Sequence, residues 1–341
     1  MSCRRSRHAA RSRQGGAALV VALLVFAISA ALIVGMTSQF NRLYQRAGNI
    51  FLADQAQAYL RGAEGLAVLA LQADYDADGK RRRDDLLEMW AQQAPPYALD
   101  EGGWLRGSLE DLQGRFNLNA LAEPAPEGGE APRFTAAQAQ FIRLLQALGE
   151  PELGRQQAIE ITQAVADWLD SDQRPRNWGA EDDYYFGQTP AYRAANRPMA
   201  SSSELLAVSG VSPELYRALA PWVTVWPRQP ALLNIHTAPA TVLRSIAGDR
   251  DLDPLTQADV DSLVEQREET GFADLEDFLS HPVFAGRLEE MVETRKLLGE
   301  YSNWFLLSAL VDVAGRNQRL YSVLQRRERT VEAQVRAGGS L

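Results

Sequence analysis

The chain has 341 residues, 46% of them hydrophobic and 23% charged, enough for two ordinary domains and too apolar for a disordered chain. Its formal charge of −9 sets 35 Lys and Arg against 44 Asp and Glu, yet Arg4, Arg5, Arg7, Arg11 and Arg13 all stand in the first sixteen residues with no acid, leaving 30 against 44, or −14, for the rest. So acidic a body has no electrostatic means of holding a polyanion, and because the one cysteine, Cys3, lies in the basic head, a chain without that head excludes disulfides, Cys-ligated zinc and cysteine nucleophiles.

No charge falls between Arg13 and Arg42, and residues 17–36 (AALVVALLVFAISAALIVGM) are almost unbroken in apolar character. At about 1.5 Å per residue such a helix crosses a hydrocarbon core of about 30 Å. The arginines before it keep the head cytoplasmic and send the body across the membrane. Hydropathy alone leaves a cleaved secretory signal or a plain signal anchor open, although a secretory signal has an apolar region of only about 7 to 15 residues. The junction Arg13-Gln14-Gly15-Gly16, followed by Ala17-Ala18-Leu19-Val20-Val21, resembles the type III signal of type IV pilins and type II secretion pseudopilins. That resemblance implies cutting by prepilin peptidase, with Gly16 the last leader residue and Ala17 the new amino terminus. Most such subunits carry glutamate at the fifth mature position, where this chain has Val21. A carboxylate in hydrocarbon is costly unless it meets a partner, which in these filaments is the terminal amine of a neighbouring subunit. A subunit without it needs no such neighbour, which suits the first place in a filament and resembles the minor pseudopilin K family of the general secretion pathway.

From Gln39 to Leu71, apolar residues at three- and four-residue spacing (Phe40, Leu43, Tyr44, Ala47, Phe51, Ala58, Leu66, Leu69) predict an amphipathic continuation of the membrane helix. Asp74 to Asp85 (DYDADGKRRRDD) has calcium-loop spacing at its start, but position 85 is Asp where such loops carry a bidentate Glu, and Lys80, Arg81, Arg82 and Arg83 oppose a cation. It reads as a solvated loop ending the helix. Strands are predicted at 103–109 and 114–118, and the stretch 111–121 (DLQGRFNLNAL) resembles a motif of the K family. A Pro/Gly/acid-rich linker, 123–132, then places a boundary near 122. Residues 135–298 read as helical with short breaks, and 304–313 with 319–325 read as an antiparallel hairpin joined by Ala-Gly-Arg-Asn-Gln. Strands on both sides of a helical block predict an α+β fold: a pilin-like long N-terminal helix and antiparallel sheet, with a large all-α domain inserted into the sheet domain. The expected divisions are a leader (1–16), a membrane half-helix (17–38), a first α/β part (39–121), the insertion (122–298) and the returning hairpin (299–341). Phe116-Asn117-Leu118-Asn119-Ala120 is echoed within the insertion by Leu233-Asn234-Ile235-His236-Thr237-Ala238.

The densest acidic cluster, 167–185 (DWLDSDQRPRNWGAEDDYY), gathers Asp167, Asp170, Asp172, Glu181, Asp182 and Asp183. Asp167 and Asp170 stand three apart on a helix end and can share a face. All-oxygen ligands on a loop favour a hard cation such as calcium, while a surface loop paired to Arg174 and Arg176 is the plainer alternative. The cluster also resembles the acidic loop of the K family. That likeness implies calcium, two ions in all, with Asp170, Asp172, Glu181 and Asp182 as the leading ligands, Asp183 and Asp167 behind them, and the second set unassigned. Trp178, Tyr184 and Tyr185 are expected to lock the loop.

Six carboxylates on one loop do not form a glycosidase's flanking pair, and Ser201–Ser203 with Glu204 read as a helix cap, so no enzyme is expected. Residues 207–218 and 233–279 resemble the helix-hairpin-helix units of periplasmic DNA-uptake proteins, the alternative reading. The acids Glu265, Glu268, Glu269, Asp274, Glu276 and Asp277 oppose phosphate, so no nucleic-acid partner is expected, and His236 reads as a packed side chain. The family resemblance implies a tip subunit of the pseudopilus, anchored in the inner membrane with its bulk in the periplasm, and partnered by the I and J minor pseudopilins.

Overall fold

Residues 304–313 alternate half-buried and buried at every step, the two-residue period of a strand with one face on a core. In a computed structural model of the protein, which describes residues 15–79, 82–100, 102–124 and 133–339, the elements run as follows. A long helix α1 (Gly15–Asp78) precedes strands β1 (Tyr97–Ala98) and β2 (Gly103–Asp111) and a bridge strand β3 (Phe116–Asn117). Helices α2 (Ala136–Ala147), α3 (Arg155–Leu169), α4 (Asp182–Phe186) and α5 (Pro213–Leu219) follow, then bridge strands β4 (Val223–Thr224) and β5 (Leu233–Asn234). Helices α6 (Ala240–Leu243), α7 (Gln257–Glu269), α8 (Leu275–Ser280) and α9 (Val292–Arg295) lead through β6 (Leu298–Gly299) to β7 (Trp304–Val313), β8 (Arg316–Arg327) and β9 (Thr330–Ala337). Most of the basic head, including Cys3, and most of the 123–132 linker lie outside the described residues.

The chain divides into one unit ending at Ala58 and a second beginning at Tyr59. In the first, α1 is apolar enough to cross a membrane, and its membrane-length window is wholly unburied. The expected packing residues Phe40, Leu43, Tyr44 and Phe51 are exposed there.

In the second unit five strands form an antiparallel sheet in the order β1-β2-β7-β8-β9. The end of α1 places Leu60, Ala63, Ala67 and Leu71 in buried positions, while Leu66 and Leu69, the residues expected to face the core, are 66% and 61% exposed. Apolar residues occur all around this stretch, so period alone does not choose a face, and the alanine-bearing face permits the closest approach. The helix also runs on through Asp78, so residues 74–78 at the start of the run expected as loop are helical. The residues β7 and β8 turn about Ala314 and Gly315, both with positive φ, the two-residue hairpin geometry that matches strand twist. The expected five-residue joint is therefore shorter, and the returning hairpin gains a third strand, β9, whose alternating exposed residues Thr330, Glu332, Gln334 and Arg336 lie at a sheet edge.

Register between β2 and β7 is continuous from Gly103 opposite Val313 to Asp111 opposite Phe305, so everything from Leu112 to Asn303 is inserted between two neighbouring strands. The helical body has its own apolar cluster, which begins with Phe116, Leu118 and Leu121 and ends at Leu298. The expected boundary near 122 thus moves back to about Leu112, because Phe116 and Asn117 pair in parallel with β4 rather than joining the main sheet. The echoed second segment pairs likewise, β5 with β6. In each copy the asparagine accepts from the backbone N–H two residues on, Asn117 from Asn119 and Asn234 from His236, both at 3.0 Å.

Candidate metal centre

The acid cluster is built where α3 ends. The last turn of α3 buries Asp167 completely, and Asp170 leaves the helix with extended backbone. The backbone N–H of Arg176 donates to Asp167 Oδ2 at 3.1 Å, its guanidinium binds Asp167 Oδ1, and the same nitrogen reaches Asp170 Oδ2 at 2.5 Å. Gly179 crosses directly over Asp167: a Cβ there would lie 1.7 Å from Asp167 Oδ2. Asp172 donates its N–H to Asp170 Oδ1 at 3.2 Å and accepts from the N–H of Arg174 at 2.8 Å.

Asp170, Asp172 and Glu181 each offer one oxygen, and the three lie within 4.8 Å of one another. Glu181 is 5% exposed, and neither of its carboxylate oxygens has a hydrogen-bond partner. Burial, followed by Asp167, Asp170, Asp172 and Asp182, pushes its carboxyl up to about 7. A buried carboxylate with no donor is expensive, and a cation beside Asp170 and Asp172 would remove that cost. The donors are all oxygens, which suits a hard cation, so the residues fit such an ion.

The other expected ligands stand differently. Asp182 accepts from Ala194 N at 3.0 Å and from Gln173 Nε2 at 3.4 Å, fastening the loop from its far side. Asp183 is exposed, and Asp167 belongs to Arg176. Of the three aromatics, Tyr185 is fully buried, edge-on to Trp168 at 5.2 Å and beside Tyr192 at 5.1 Å, while Trp178 and Tyr184 are 53% and 46% exposed. Tyr185 therefore carries the side-chain locking, with Trp178 contributing its backbone N–H to Gln163 Oε1 at 2.8 Å.

A second acidic group, Asp74, Asp78 and Glu88, also brings oxygens within 4.8 Å, but Arg326 Nη1 binds Asp74 at 2.7 Å and Trp90 Nε1 donates to Glu88 at 2.6 Å. Asp84, read from sequence as part of a solvated loop, has no exposure at all. Its partner Arg326 lies far along the chain, and no local pattern signalled the pair. Among the remaining candidates, Ser201 and Glu204 form a reciprocal cap, His236 is buried, and Gly16, Ala17 and Val21 lie exposed on α1. In the hairpin-like region, Arg267 turns inward to the carbonyl of Ala238 at 2.6 Å.

A helix with an apolar first half and a last stretch on an antiparallel sheet defines a pilin-like protein, here with a helical body inserted between β2 and β7. The type II secretion system protein K family matches residues 114–228 and again residues 233–295, and the chain belongs to that family, a component of the secretion system. Type II secretion system protein K of Pseudomonas aeruginosa is 35% identical over 328 residues, 93% of this chain and 90% of that protein. The Klebsiella pneumoniae protein is 31% identical over 318 residues, 93% and 94%. Among solved structures, a chain of the GspK-GspI-GspJ complex from the enterotoxigenic Escherichia coli type 2 secretion system aligns with a TM-score of 0.73 and 26% identity, over 87% of this chain and all of that one.

Proposed function

We propose that this minor pseudopilin occupies the tip of a type II secretion pseudopilus, starting or capping the filament together with the I and J minor pseudopilins for protein export across the outer membrane. The observation that carries the reading is the insertion itself, a body with its own core growing from between two neighbouring strands of the pilin-like sheet. Subunits in a filament wall pack repeatedly by their helices, and a body of this size is tolerated best at an end. Val21 supports the same place, since the apolar run of residues 17–36 contains no carboxylate to bind a preceding subunit's amine. Prepilin peptidase cuts between Gly16 and Ala17, α1 then anchors the chain once in the inner membrane, and the body lies in the periplasm. Calcium sits between Asp170, Asp172 and Glu181, with Asp182 holding the loop around it, and supplies the positive charge that Glu181 lacks. No catalytic role is assigned.

The test is co-purification of the tagged full chain with the I and J pseudopilins from membranes of cells expressing all three. Stoichiometric recovery of both is expected. Recovery of neither, with the chain folded and processed, would contradict the reading.

A further inference from the structure

The helical body and the sheet meet through polar groups. Among the described residues, the apolar cluster of the body contains none from α1, β2, β7, β8 or β9, and α1 and the sheet bury their own set, including Leu71, Phe305, Val311 and Leu324. A cavity of about 250 Å³ lies at the seam, between Val225 of the body and the sheet residues Leu306, Tyr321 and Val323. Besides the Trp226–Trp304 stack, with ring centroids 5.7 Å apart, a buried hydrogen-bond network crosses the seam.

That network ties both connections of the body to the sheet and to the end of α1. Asp111, at the exit of β2, accepts from Gln113 N at 2.7 Å, Asn234 Nδ2 at 3.1 Å, Thr237 Oγ1 at 2.5 Å and Ser302 Oγ at 2.6 Å. Asn234 Nδ2 also donates to the carbonyl of Asp84 at 3.0 Å. Asp84 accepts from Ser302 N at 2.6 Å and pairs with Arg326 of β8, whose other nitrogen holds Asp74 at 2.7 Å. Directional buried bonds of this kind are costly to leave half made, so such a joint is either closed or open, with little between.

We propose that the helical insertion is a separately cored body whose orientation on the sheet is fixed by this polar latch, and that it swings as a unit about residues 112–114 and 299–304 when the latch is broken. Arg326 and Asp84 are positioning residues in this device. The chain's single cysteine makes labelling straightforward.

The test uses the full chain in detergent, carrying Cys3→Ser and spin labels at exposed Glu152 and Glu328, with and without Arg326→Met. The expected result is a broadened label-to-label distance distribution, with amide exchange at Gln113, Ser302 and Asn303 faster by roughly tenfold or more while α2, α3 and β7 keep wild-type protection. Thr237→Val, which removes one donor to Asp111 without stranding a charge, gives the same local pattern at smaller amplitude even where Arg326→Met fails to fold. Arg336→Gln, which breaks a pair with Glu64 outside the latch, leaves both readouts unchanged. Protection lost equally throughout the body and sheet, or an unaltered distance distribution in latch variants that open the amides, would overturn the proposal.

Discussion

Ser302 donates its hydroxyl to Asp111 at 2.6 Å across 191 positions of chain, so the residue that ends β2 touches a residue two positions before β7, and the helical insertion is closed off at its base. Asp111→Ala leaves the donors of Gln113, Thr237 and Ser302 buried without their acceptor, and removes one of the acceptors of Asn234. Each stranded donor costs about 1–3 kcal/mol, with partial relief where a neighbour or water substitutes. A loss of about 3 kcal/mol or more in denaturant unfolding is expected, and an unchanged midpoint would show that the network contributes nothing to stability.

The cation reading makes a separate demand. Ligand binding to the native state alone stabilises by about 2.7 kcal/mol at a hundredfold excess over Kd. Chelation is therefore expected to lower the melting temperature, and Asp172→Ala to remove most of that sensitivity. Gly179→Ala is expected to do the same at a cost of about 1–3 kcal/mol in the apo protein, because its methyl group displaces Asp167 beneath it. Equal melting curves with and without chelator in the parent protein would leave the three carboxylates without an ion.

Burial pushes the Asp84 carboxyl up from an ordinary 3.8 to about 7, even with Arg326 beside it. The folded protein thus holds this proton more tightly than the unfolded chain. The corresponding stabilisation is complete below the unfolded value and is lost as pH rises towards 7, with a limiting slope of about 1.4 kcal/mol per pH unit. Burial shifts Glu88 in the same direction, so the informative quantity is a difference. Between about pH 5 and about pH 7.5, stability of the parent protein is expected to fall more steeply than that of Asp84→Asn, and parallel profiles would remove Asp84 from the pH response.

The two faces of the sheet-packed end of α1 can be told apart by substitution. Leu71→Ala is expected to cost about 2–5 kcal/mol, as for other fully buried leucines. Leu66→Ser and Leu69→Ser, on the exposed side, are expected to cost less than about 1 kcal/mol. Thermal unfolding of the three variants decides which stripe carries the packing, and a large loss from Leu66→Ser would reverse the assignment.

Much of this was legible in the sequence, and the misses share a cause. The apolar run, the hairpin of residues 304–313 and 319–325 and the acidic loop are local patterns, and each appears where local physics put it. The packing face of α1 is not legible because leucines and alanines occur all around that stretch, and only the sheet selects among them. Phe116 and Asn117 read as a sheet strand because two residues of alternation cannot say which partner they pair with. Asp84 read as solvated because its partner, Arg326, stands 242 positions away. In the acid loop, the residue types were visible, but only the fold separates Glu181, whose oxygens lack donors, from Asp182, whose oxygens have them.

Position in the filament is the central claim, and immunogold labelling of sheared pseudopili with an antibody to the helical insertion measures it directly. Gold confined to one end of each filament is the expected result. Gold spaced along the filament wall would contradict it.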